Sequence, residues 1–511
     1  MTAHASAPRV SLARARAIVC SHGASLASER VGVESALGRV LAEPVFARFA
    51  SPHYRASAMD GIAVRAADTA AAAPTKPVGL VAVGGEPVPA GAVAYPVDTG
   101  SALPAWADAV VRIEEVRPTE SGFEIRAPVP PGRDVRRIGE DIDAGALILG
   151  RGRVLRPPDL GACIATGVAH VSVRRRPRIA VLATGSEVIE PVREDAVPAP
   201  GQVIEFNSRV LAAYGSEWGA EVQYLGRAPD HEEKLVTAIT GAAGASDAVC
   251  IIAGSSAGRK DLSVAVLGRC GEVLFHGVEV MPGKPAAFAV VADKPVFVIP
   301  GYPVSAAVVY RELVAPWIDV SLGRASASPR TLKAVVRRKI ASRLGVEELL
   351  RVCLAFEGDA LVVAPLPRGA GAISTLVRAH GLLRIDATSE GVAPGDDVDV
   401  ELLDPAFDPS NALVAGGPAH ALTAVLEDAL ARRGAPLAVS HLGLAPHDAL
   451  AALAAGEAHL AVIANGQATD DVPPSAEIAR VKSSGDTVVL SAALLASAAG
   501  QRVRDALATI G

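Results

Sequence analysis

The chain has 511 residues, of which 50% are hydrophobic and 20% charged, so its composition is that of a globular protein and excludes a disordered tail or a fibre. The formal net charge of −6 excludes a generally basic nucleic-acid-binding protein, and the aromatic content of 4% argues against a base-stacking platform. At roughly 150 residues per domain, the length predicts three or four domains.

Cysteine usage and hydropathy indicate the compartment. The five cysteines form no CxxC pair, so neither a zinc finger nor a disulfide framework is expected, and we interpret them as reduced thiols. Arg14 and Arg16 interrupt any apolar export signal, and the apolar runs are too short or too charged to span a membrane. We therefore expect a cytoplasmic protein that binds neither membrane nor nucleic acid.

The first third of the chain changes character twice. Residues 8–45 have apolar positions at helical spacing, as in Val31 to Leu41, and predict helices. Residues 46–130 carry short β-rich runs separated by Gly and Pro. Residues 131–176 are again punctuated by Gly and Pro, with a helical stretch near 158–167.

From Pro177 onward, buried strands alternate with helices. The expected strands are 178–183, 222–225, 248–252 and 296–299, and the expected helices are 207–214, 230–243, 261–267 and 304–322. This alternation predicts a parallel sheet covered by helices, and such sheets bind ligands at the carboxyl ends of their strands.

The last part of the chain contains two further regions. Residues 327–404 return to short strands, at 332–337, 349–356, 360–364 and 398–402, which suggests a small β-barrel. After a linker-like run, residues 411–511 contain no Phe, Tyr, Trp or Cys and are rich in Ala, so we expect a separate appended domain. The whole is predicted to be a multidomain α/β plus β protein.

Candidate site residues, most of them polar or glycine, lie in turns and at the predicted strand ends. They are Asp60 in a β-rich region, Arg136 and Asp141 around an acidic turn, Thr184, Gly185 and Glu187 after the first strand of the parallel sheet, Asp230 after the second, Ser256, Gly258 and Asp261 after the third, and Pro282, Gly283, Lys284, Gly301 and Ser305 in Gly/Pro turns beside the same edge. Carboxylates, a lysine and Gly-rich turns in one cleft suit Mg²⁺ and a phosphorylated ligand. Taken singly, each acid could equally be a turn or helix cap.

One local motif indicates a different chemistry. Residues 254–258 fit G-x-S-x-G after a strand and before a helix, which is the context of a hydrolase nucleophile, here Ser256. His276 and the acids Asp261 and Glu272 lie close by in sequence, which does not suit a triad spread over separate strand ends. The alternatives are a serine hydrolase or a Gly/Ser loop that offers backbone N–H groups to an anion.

These segments together resemble the molybdopterin molybdenumtransferase family, known as MoeA in bacteria and as the gephyrin E domain in animals. The resemblance is carried by residues 36–42, 57–61, 99–104, 107–111, 139–142, 184–187, Asp261, 282–285, 300–305 and 368–376, in that order, and holds over about residues 8–405. Within these segments it adds Thr99, Arg368 and Ser374 to the candidate residues.

The resemblance implies a reaction and a set of roles. The family inserts molybdate into adenylylated molybdopterin, releasing AMP, with Mg²⁺ on the pyrophosphate. By this resemblance, the catalytic residues are Asp60, Asp141, Glu187, Asp261 and Lys284; the metal ligands are Asp261, Glu187 and Asp230; and the cofactor-binding residues are Thr99, Arg136, Thr184, Gly185, Asp230, Ser256, Gly258, Pro282, Gly283, Gly301, Ser305, Arg368 and Ser374. It also implies a homodimer whose cleft is shared between subunits, with the molybdopterin adenylyltransferase and recipient molybdoenzymes as partners.

The chain departs from the family pattern at four places. Ile62 stands where members usually have Tyr, Ala253 begins an altered Gly-rich loop, Met281 replaces a Lys, and Tyr302 replaces an Asn. A lost charge-assisted contact at Met281 would weaken oxyanion binding by roughly 1.5–3 kcal/mol. A paralogue that prefers another oxyanion such as tungstate, and a non-catalytic molybdopterin-binding scaffold, therefore remain alternatives.

The appended segment has its own, weaker resemblance. Residues 413–416, a helix to Ala431, and residues 442–463 resemble one lobe of a periplasmic-binding-protein-like domain; a packing or dimer-supporting role is the alternative. The predicted domains are 1–46 with 143–176, a linking domain; 47–142, inserted and β-rich; 177–325, α/β; 326–405, the barrel; and 411–511, the appended α/β domain.

Overall fold

The computed structural model describes residues 8–84, 91–194, 196–228, 231–253, 262–326, 328–417, 421–432, 437–463, 472–480 and 487–510. The chain divides into two compact units. One contains Met1–Ser25, Arg176–Ser321 and Ala325–Gly511, and the other contains Leu26–Arg175 with Leu322–Arg324. In the part so described, no helix combines the length and apolar content required to cross a membrane.

The unit around Leu26–Arg175 is mainly β-structure. Its largest sheet has the strand order Ala109–Arg112, Gly61–Val64, Val93–Val97, Val78–Ala82, Gly122–Ile125 and Val116–Thr119. Short pairs join Ser28–Gly32 to His170–Arg174, Val45–Phe46 to Leu147–Leu149, and Ala56–Ser57 to Val135–Arg136. Its helical segments are Val33–Ser35, Ala66–Thr69, Ile113–Glu115 and Pro157–Ala165.

The helix predicted over residues 31–41 is wrong. The helix near the start is Leu12–Ser21, capped by Ser11, whose Oγ accepts the Arg14 N–H at 3.3 Å. Residues Ser28–Gly32 instead form a strand antiparallel to His170–Arg174. The apolar spacing of this segment fits both structures, and pairing with a distant strand determined which one formed.

The other unit contains the predicted parallel sheet. Its strand order is Glu221–Arg227, Arg178–Ala183, Ala248–Ala253, Lys294–Pro300, Ala287–Val291 and Glu272–His276. The first four strands pair in parallel, and Ala287–Val291 is antiparallel to both of its neighbours. Helices Asn207–Glu217, Glu232–Ala245, Leu262–Cys270, Pro303–Val309 and Ala315–Leu322 accompany it, the last two joined by a π-helical turn at Tyr310–Val314. Fully buried Val, Ile, Leu and Ala side chains fill the core on these strands and helices.

A second group of strands closes into a ring, which we call the strand ring. Glu347–Glu357 pairs on one side with Ala360–Pro365 and on the other with Gly381–Ile385, and Thr331–Val335 and Asp397–Leu402 complete the circuit. Val280–Met281 pairs with the start of Glu347–Glu357. The remaining short elements are Ile340–Ala341 paired with Gly391–Val392, and helix Ser374–Arg378.

Residues 411–511, the C-terminal segment, form an α/β layer. The strand order is Ala438–His441, Ala412–Ala415, Leu460–Ile463, Thr487–Leu490 and Glu477–Arg480, with the first three parallel. Its helical elements are Pro409–Asn411 at the entrance, then Ala421–Arg432, Pro446–Ala454, Ala492–Ala496 and Ala498–Ile510.

The strand ring and the C-terminal segment share one hydrophobic cluster. Cys353 and Leu366 of the ring pack in it with Leu442, Leu450 and other side chains of the segment. Polar contacts reinforce this junction, because His380 lies 2.8 Å from the Ser440 hydroxyl and Arg338 pairs with the buried carboxylate of Glu457.

All five cysteines are free thiols, and burial raises the pKa of Cys353 to about 12.

Candidate functional site

A cleft opens at the carboxyl edge of the parallel sheet. Strand Arg178–Ala183 is followed in the chain by Glu221–Arg227, which pairs on one side of it. The next strand of the sheet along the chain, Ala248–Ala253, pairs on its other side, so the strand order reverses at Arg178–Ala183. Where the order reverses, the crossover connections leave on opposite faces and separate, which creates a ligand site. The cleft there has a volume of about 260 Å³. It is lined by Ala183, Thr184, Glu187, Val188, Val203, Ile204, Glu205, Phe206, Asn207, Ile252, Ala253, Gly301, Tyr302, Pro303 and Gly371.

The turn after the first strand places a carboxylate in the cleft. The N–H and hydroxyl of Thr184 both donate to the Ile252 carbonyl, at 2.9 and 3.1 Å, which ties the turn to the neighbouring strand. Gly185 has φ +123°, and a Cβ added there would lie 2.9 Å from a carboxylate oxygen of Glu187. The glycine thus leaves room for the Glu187 carboxylate, which is half-buried and has no hydrogen bond or ion pair with any described residue.

A second carboxylate was not predicted from the sequence. Glu205 is 5% exposed and accepts the N–H of Ser208 at 2.8 Å and its hydroxyl at 2.5 Å, so it caps helix Asn207–Glu217. Arg209 pairs with both Glu205 and Glu190. The sequence signal that could have identified Glu205 is an acid three residues before a serine at a helix start. Its role in the cleft is structural, because its oxygens are already engaged.

Side-chain contacts also connect other residues that line the cleft. Asn207 donates its amide to the Gly301 carbonyl at 2.7 Å, which fixes the helix start to the end of strand Lys294–Pro300. Farther out, the Tyr224 hydroxyl donates to Glu190 at 2.9 Å. Burial, followed by this hydrogen bond, raises the pKa of Tyr224 to about 12, so its hydroxyl stays protonated at neutral pH.

The charge of the cleft is acidic. Glu187 and Glu205 are among its lining residues, whereas no lysine or arginine of the described chain is. No group of three or more His, Cys, Asp or Glu residues suited to a metal ion occurs in the described ranges. Any divalent cation here would therefore need oxygens from outside the described residues, as Mg²⁺ obtains from phosphates.

Two of the three predicted cationic residues, Arg368 and Lys284, lie in the strand ring or just after a strand that pairs with it. Arg368 donates to the buried carboxylate of Glu348 at 2.7 Å, and Met281 pairs with Glu348 in the strand register. Lys284 is exposed and forms no ion pair with a described residue. Pro282 and Gly283 are buried beside it, and Ser374 begins helix Ser374–Arg378. Ser305 is buried within its helix and is not among the residues that line the cleft.

The other unit brings together two of its predicted residues. The carboxylate of Asp60 accepts the N–H of Thr99 at 2.6 Å and its hydroxyl at 2.8 Å. These two bonds, the N–H first, lower the pKa of Asp60. Arg136 lies 3.3 Å from Glu140, and Asp141 lines a separate groove of about 640 Å³.

Most of the chain matches known protein families. Family models match residues 10–167, described as the MoeA N-terminal region (domains I and II), residues 180–320, described as "Probable molybdopterin binding domain", and residues 333–403, described as the MoeA C-terminal region (domain IV). Molybdopterin molybdenumtransferase 2 of Mycobacterium tuberculosis is 32% identical over 389 residues, which are 72% of this chain and 94% of that protein. The chain belongs to the MoeA family.

Other members agree with this assignment. The molybdopterin molybdenumtransferase of Haemophilus influenzae is 29% identical over 384 residues, covering 73% of this chain and 93% of that protein. A solved structure, the molybdopterin biosynthesis MoeA protein from Pyrococcus horikoshii, has 33% identity and a TM-score of 0.68, and matches 78% of this chain and all of that one. The fold is thus the MoeA-like combination of α/β and β domains.

Membership in the MoeA family favours the transferase over the serine hydrolase and the scaffold. Four candidates, Asp230, Ser256, Gly258 and Asp261, lie outside the described residues. Of the sheet-edge candidates that are described, Thr184, Glu187 and Gly301 line the cleft, whereas Gly185 lies in the turn between the first two without lining it. The predicted roles of individual residues remain predictions.

Proposed function

We propose that this chain inserts molybdate into adenylylated molybdopterin and releases AMP, as a molybdopterin molybdenumtransferase. The observation that carries the proposal is the cleft at the sheet edge in a MoeA-family chain, where Thr184, Glu187 and Gly301 converge. In the proposed reaction, water hydrolyses the phosphoanhydride between the AMP phosphate and the molybdopterin phosphate. The two dithiolene thiols bond to the molybdenum of molybdate, which is a substrate, while one of its oxygens leaves with the two thiol protons as water and the metal stays Mo(VI).

Mg²⁺ fits the donor set of the cleft as a partner of the pyrophosphate. Glu187 offers a half-buried carboxylate with no partner among described residues, and Mg²⁺ typically takes one or two protein carboxylates together with phosphate oxygens. We propose that Glu187 holds the ion with Asp230 and Asp261. When bound, Mg²⁺ would neutralise the phosphate charge that develops as the bond breaks.

The protein groups have separable tasks in this proposal. Thr184 and Gly185 shape the turn that aims Glu187, and Lys284 supplies an exposed positive charge for an oxyanion. Arg368 and Ser374 would add donors on the strand ring, although Arg368 shares its charge with Glu348. Asp60, Thr99, Arg136 and Asp141 of a second copy of the chain would complete the site in the homodimer proposed below.

We also propose a cytoplasmic homodimer in which each cleft is built from two subunits. Phe46 and Leu147 face each other on paired strands, and both side chains are more than half exposed. Large apolar side chains exposed in pairs favour burial against a partner. The molybdopterin adenylyltransferase and recipient molybdoenzymes are the proposed protein partners. Sedimentation as a stable monomer at micromolar concentration would contradict the dimer.

The predicted domain division belongs to the same proposal. We propose that residues 326–405 are a barrel domain and 411–511 an appended lobe, with 1–46 and 143–176 linking and 47–142 inserted. The closed pairing of the strand ring and the separate sheet of the C-terminal segment support the division into residues 326–405 and 411–511. The α/β domain, 177–325, contains the cleft.

The decisive experiment measures AMP release from adenylylated molybdopterin with and without molybdate. We expect molybdate-dependent release by the natural protein, and a loss of at least about tenfold for Glu187→Gln, equivalent to roughly 1.4 kcal/mol in the barrier. Glu217→Gln, at the exposed end of helix Asn207–Glu217, is the matched control and should remain active. Release with tungstate alone would change the assigned oxyanion, and bound substrate without any release would indicate a scaffold.

A further inference from the structure

One aromatic side chain in the cleft is open rather than packed. Tyr302 lines the cleft, yet 53% of its surface is exposed. Most described aromatic residues near the sheet, such as Phe288 and Phe297, are buried in the core. An open ring at the mouth of an apolar cleft is a candidate contact for a ligand.

The position of Tyr302 is nevertheless fixed. The residue stands between Gly301 and Pro303 at the start of a helix, and its carbonyl accepts the Ala306 N–H at 2.8 Å. Across from it, a Cβ added to Gly371 would lie 3.4 Å from Cδ1 of the tyrosine ring. The loop that contains Gly371 is tied to the same helix, because Val304 donates its N–H to the Ala370 carbonyl at 3.0 Å. The ring is therefore supported on one side without being covered.

The remaining walls indicate which ligand chemistry fits. Ile204, Phe206, Ile252 and Pro303 are apolar, and the charged lining groups are carboxylates rather than cations. An inorganic oxyanion would find no positive charge among these residues. A planar nitrogen heterocycle, which presents apolar faces, suits apolar walls and an aromatic face.

We propose that Tyr302 is a stacking platform for a planar nitrogen heterocycle of the substrate. This inference rests on the proposed function and deepens it by assigning the cleft to a ring system rather than to the oxyanion. Adenylylated molybdopterin carries two such rings, adenine and pterin, and the face of a tyrosine can stack on either. Stacking on an aromatic side chain strengthens binding by about tenfold or more, as seen when such residues are replaced by alanine.

The test compares four variants of the whole chain. Tyr302→Phe keeps the ring, Tyr302→Leu keeps apolar bulk without an aromatic face, and Tyr302→Ala removes both. Gly371→Ala adds a methyl group in van der Waals contact with the ring and should leave both dissociation constants unchanged. Calorimetric titrations with AMP, which offers adenine, and with neopterin, which offers a pterin, give dissociation constants without requiring turnover.

We expect the Ala and Leu variants to weaken binding of one probe by about tenfold, while Phe remains within about twofold of the natural protein. A loss confined to AMP assigns adenine to the cleft, and a loss confined to neopterin assigns pterin. Equal affinities in all variants, an equal loss in Phe and Ala, or no binding of either probe to the natural protein would overturn the stacking role. AMP release by the natural protein, measured alongside, reports on the proposed function separately from these constants.

Discussion

Two buried histidines at the junction of the strand ring and the C-terminal segment make its stability depend on pH. Leu354 donates its N–H to Nδ1 of His380 at 3.0 Å, and the amides of Phe356 and Val414 face the two ring nitrogens of His459 at 3.0 and 2.8 Å. A neutral ring can accept one such bond, whereas a protonated ring can accept none. Both pockets therefore favour the neutral form.

The pKa values set the size and direction of the effect. Burial lowers the pKa of His380 from 6.5 to about 4, and burial followed by the charge of His380 lowers that of His459 to about 3. The unfolded chain binds the imidazole protons more tightly than the folded chain does. The contribution of the neutral histidines to the free energy of unfolding is therefore fully present above pH 6.5 and is lost as the pH falls toward 4. When the pH falls from 7.5 to 5, each histidine lowers the free energy of unfolding by about 2 kcal/mol, so the two together lower it by about 4 kcal/mol.

Hydrogen exchange read by mass spectrometry on peptides of strand Glu347–Glu357 measures this change. After correction for the intrinsic exchange rate, we expect the opening free energy of the strand to fall by about 4 kcal/mol over that pH range. His380→Asn keeps an acceptor for Leu354 and should halve the slope. The exposed His170→Asn is the matched control and should keep the full slope. A strand whose protection is independent of pH in the natural protein would refute the reasoning.

Three further outcomes follow from single contacts. Met281→Lys places a cation on the strand residue that registers with Glu348, the partner of Arg368, and should lower the half-saturating molybdate concentration for AMP release about tenfold. Tyr310→Phe removes a buried hydroxyl that has no hydrogen-bond partner among the described residues, so the free energy of unfolding should rise by about 1 kcal/mol, measured by urea denaturation. Glu457→Gln removes the charge that holds Arg338 and should lower the opening free energy of the junction by about 1–2 kcal/mol, measured by hydrogen exchange.

Each of these predictions has a matched comparison. An unchanged molybdate midpoint for Met281→Lys, with AMP release at saturation intact, would show that residue 281 does not face the oxyanion. A clear destabilisation by Tyr310→Phe would mean that the hydroxyl has a partner in solution. For Glu457→Gln, replacing the exposed Glu477 by Gln is the control, and equal effects of the two would contradict a special role for the buried pair.

The sequence was most informative where burial is continuous along the chain. Arg178–Ala183 and Ala248–Ala253 are runs of apolar residues buried in the centre of the sheet, and both appear within a residue of their predicted limits. Their polar ends indicated the cleft for the same reason, since parallel strands bring their carboxyl ends to one edge. The bounds of these two strands were therefore readable from local pattern alone, whereas strands Ala287–Val291 and Glu272–His276 of the same sheet were not among those predicted.

Features that depend on distant partners were not readable in this way. Ser28–Gly32 is a strand because residues more than 130 positions away pair with it. Arg368 was assigned to the ligand, but its guanidinium meets Glu348, a contact between separate segments of the strand ring. Glu205 was missed because its burial comes from the strands and helix packed around it rather than from the neighbouring sequence.

The hydrophobic cluster shared by the strand ring and the C-terminal segment determines what a cut in the chain can do. The connection between them passes through exposed residues 404–406, where a protease has access. Cleavage there would break one covalent link but leave Leu366 and Cys353 packed against Leu442 and Leu450. The two fragments would therefore remain together as a nicked protein, whereas a gene truncated at the same point would produce a ring with an uncovered apolar surface and a tendency to aggregate.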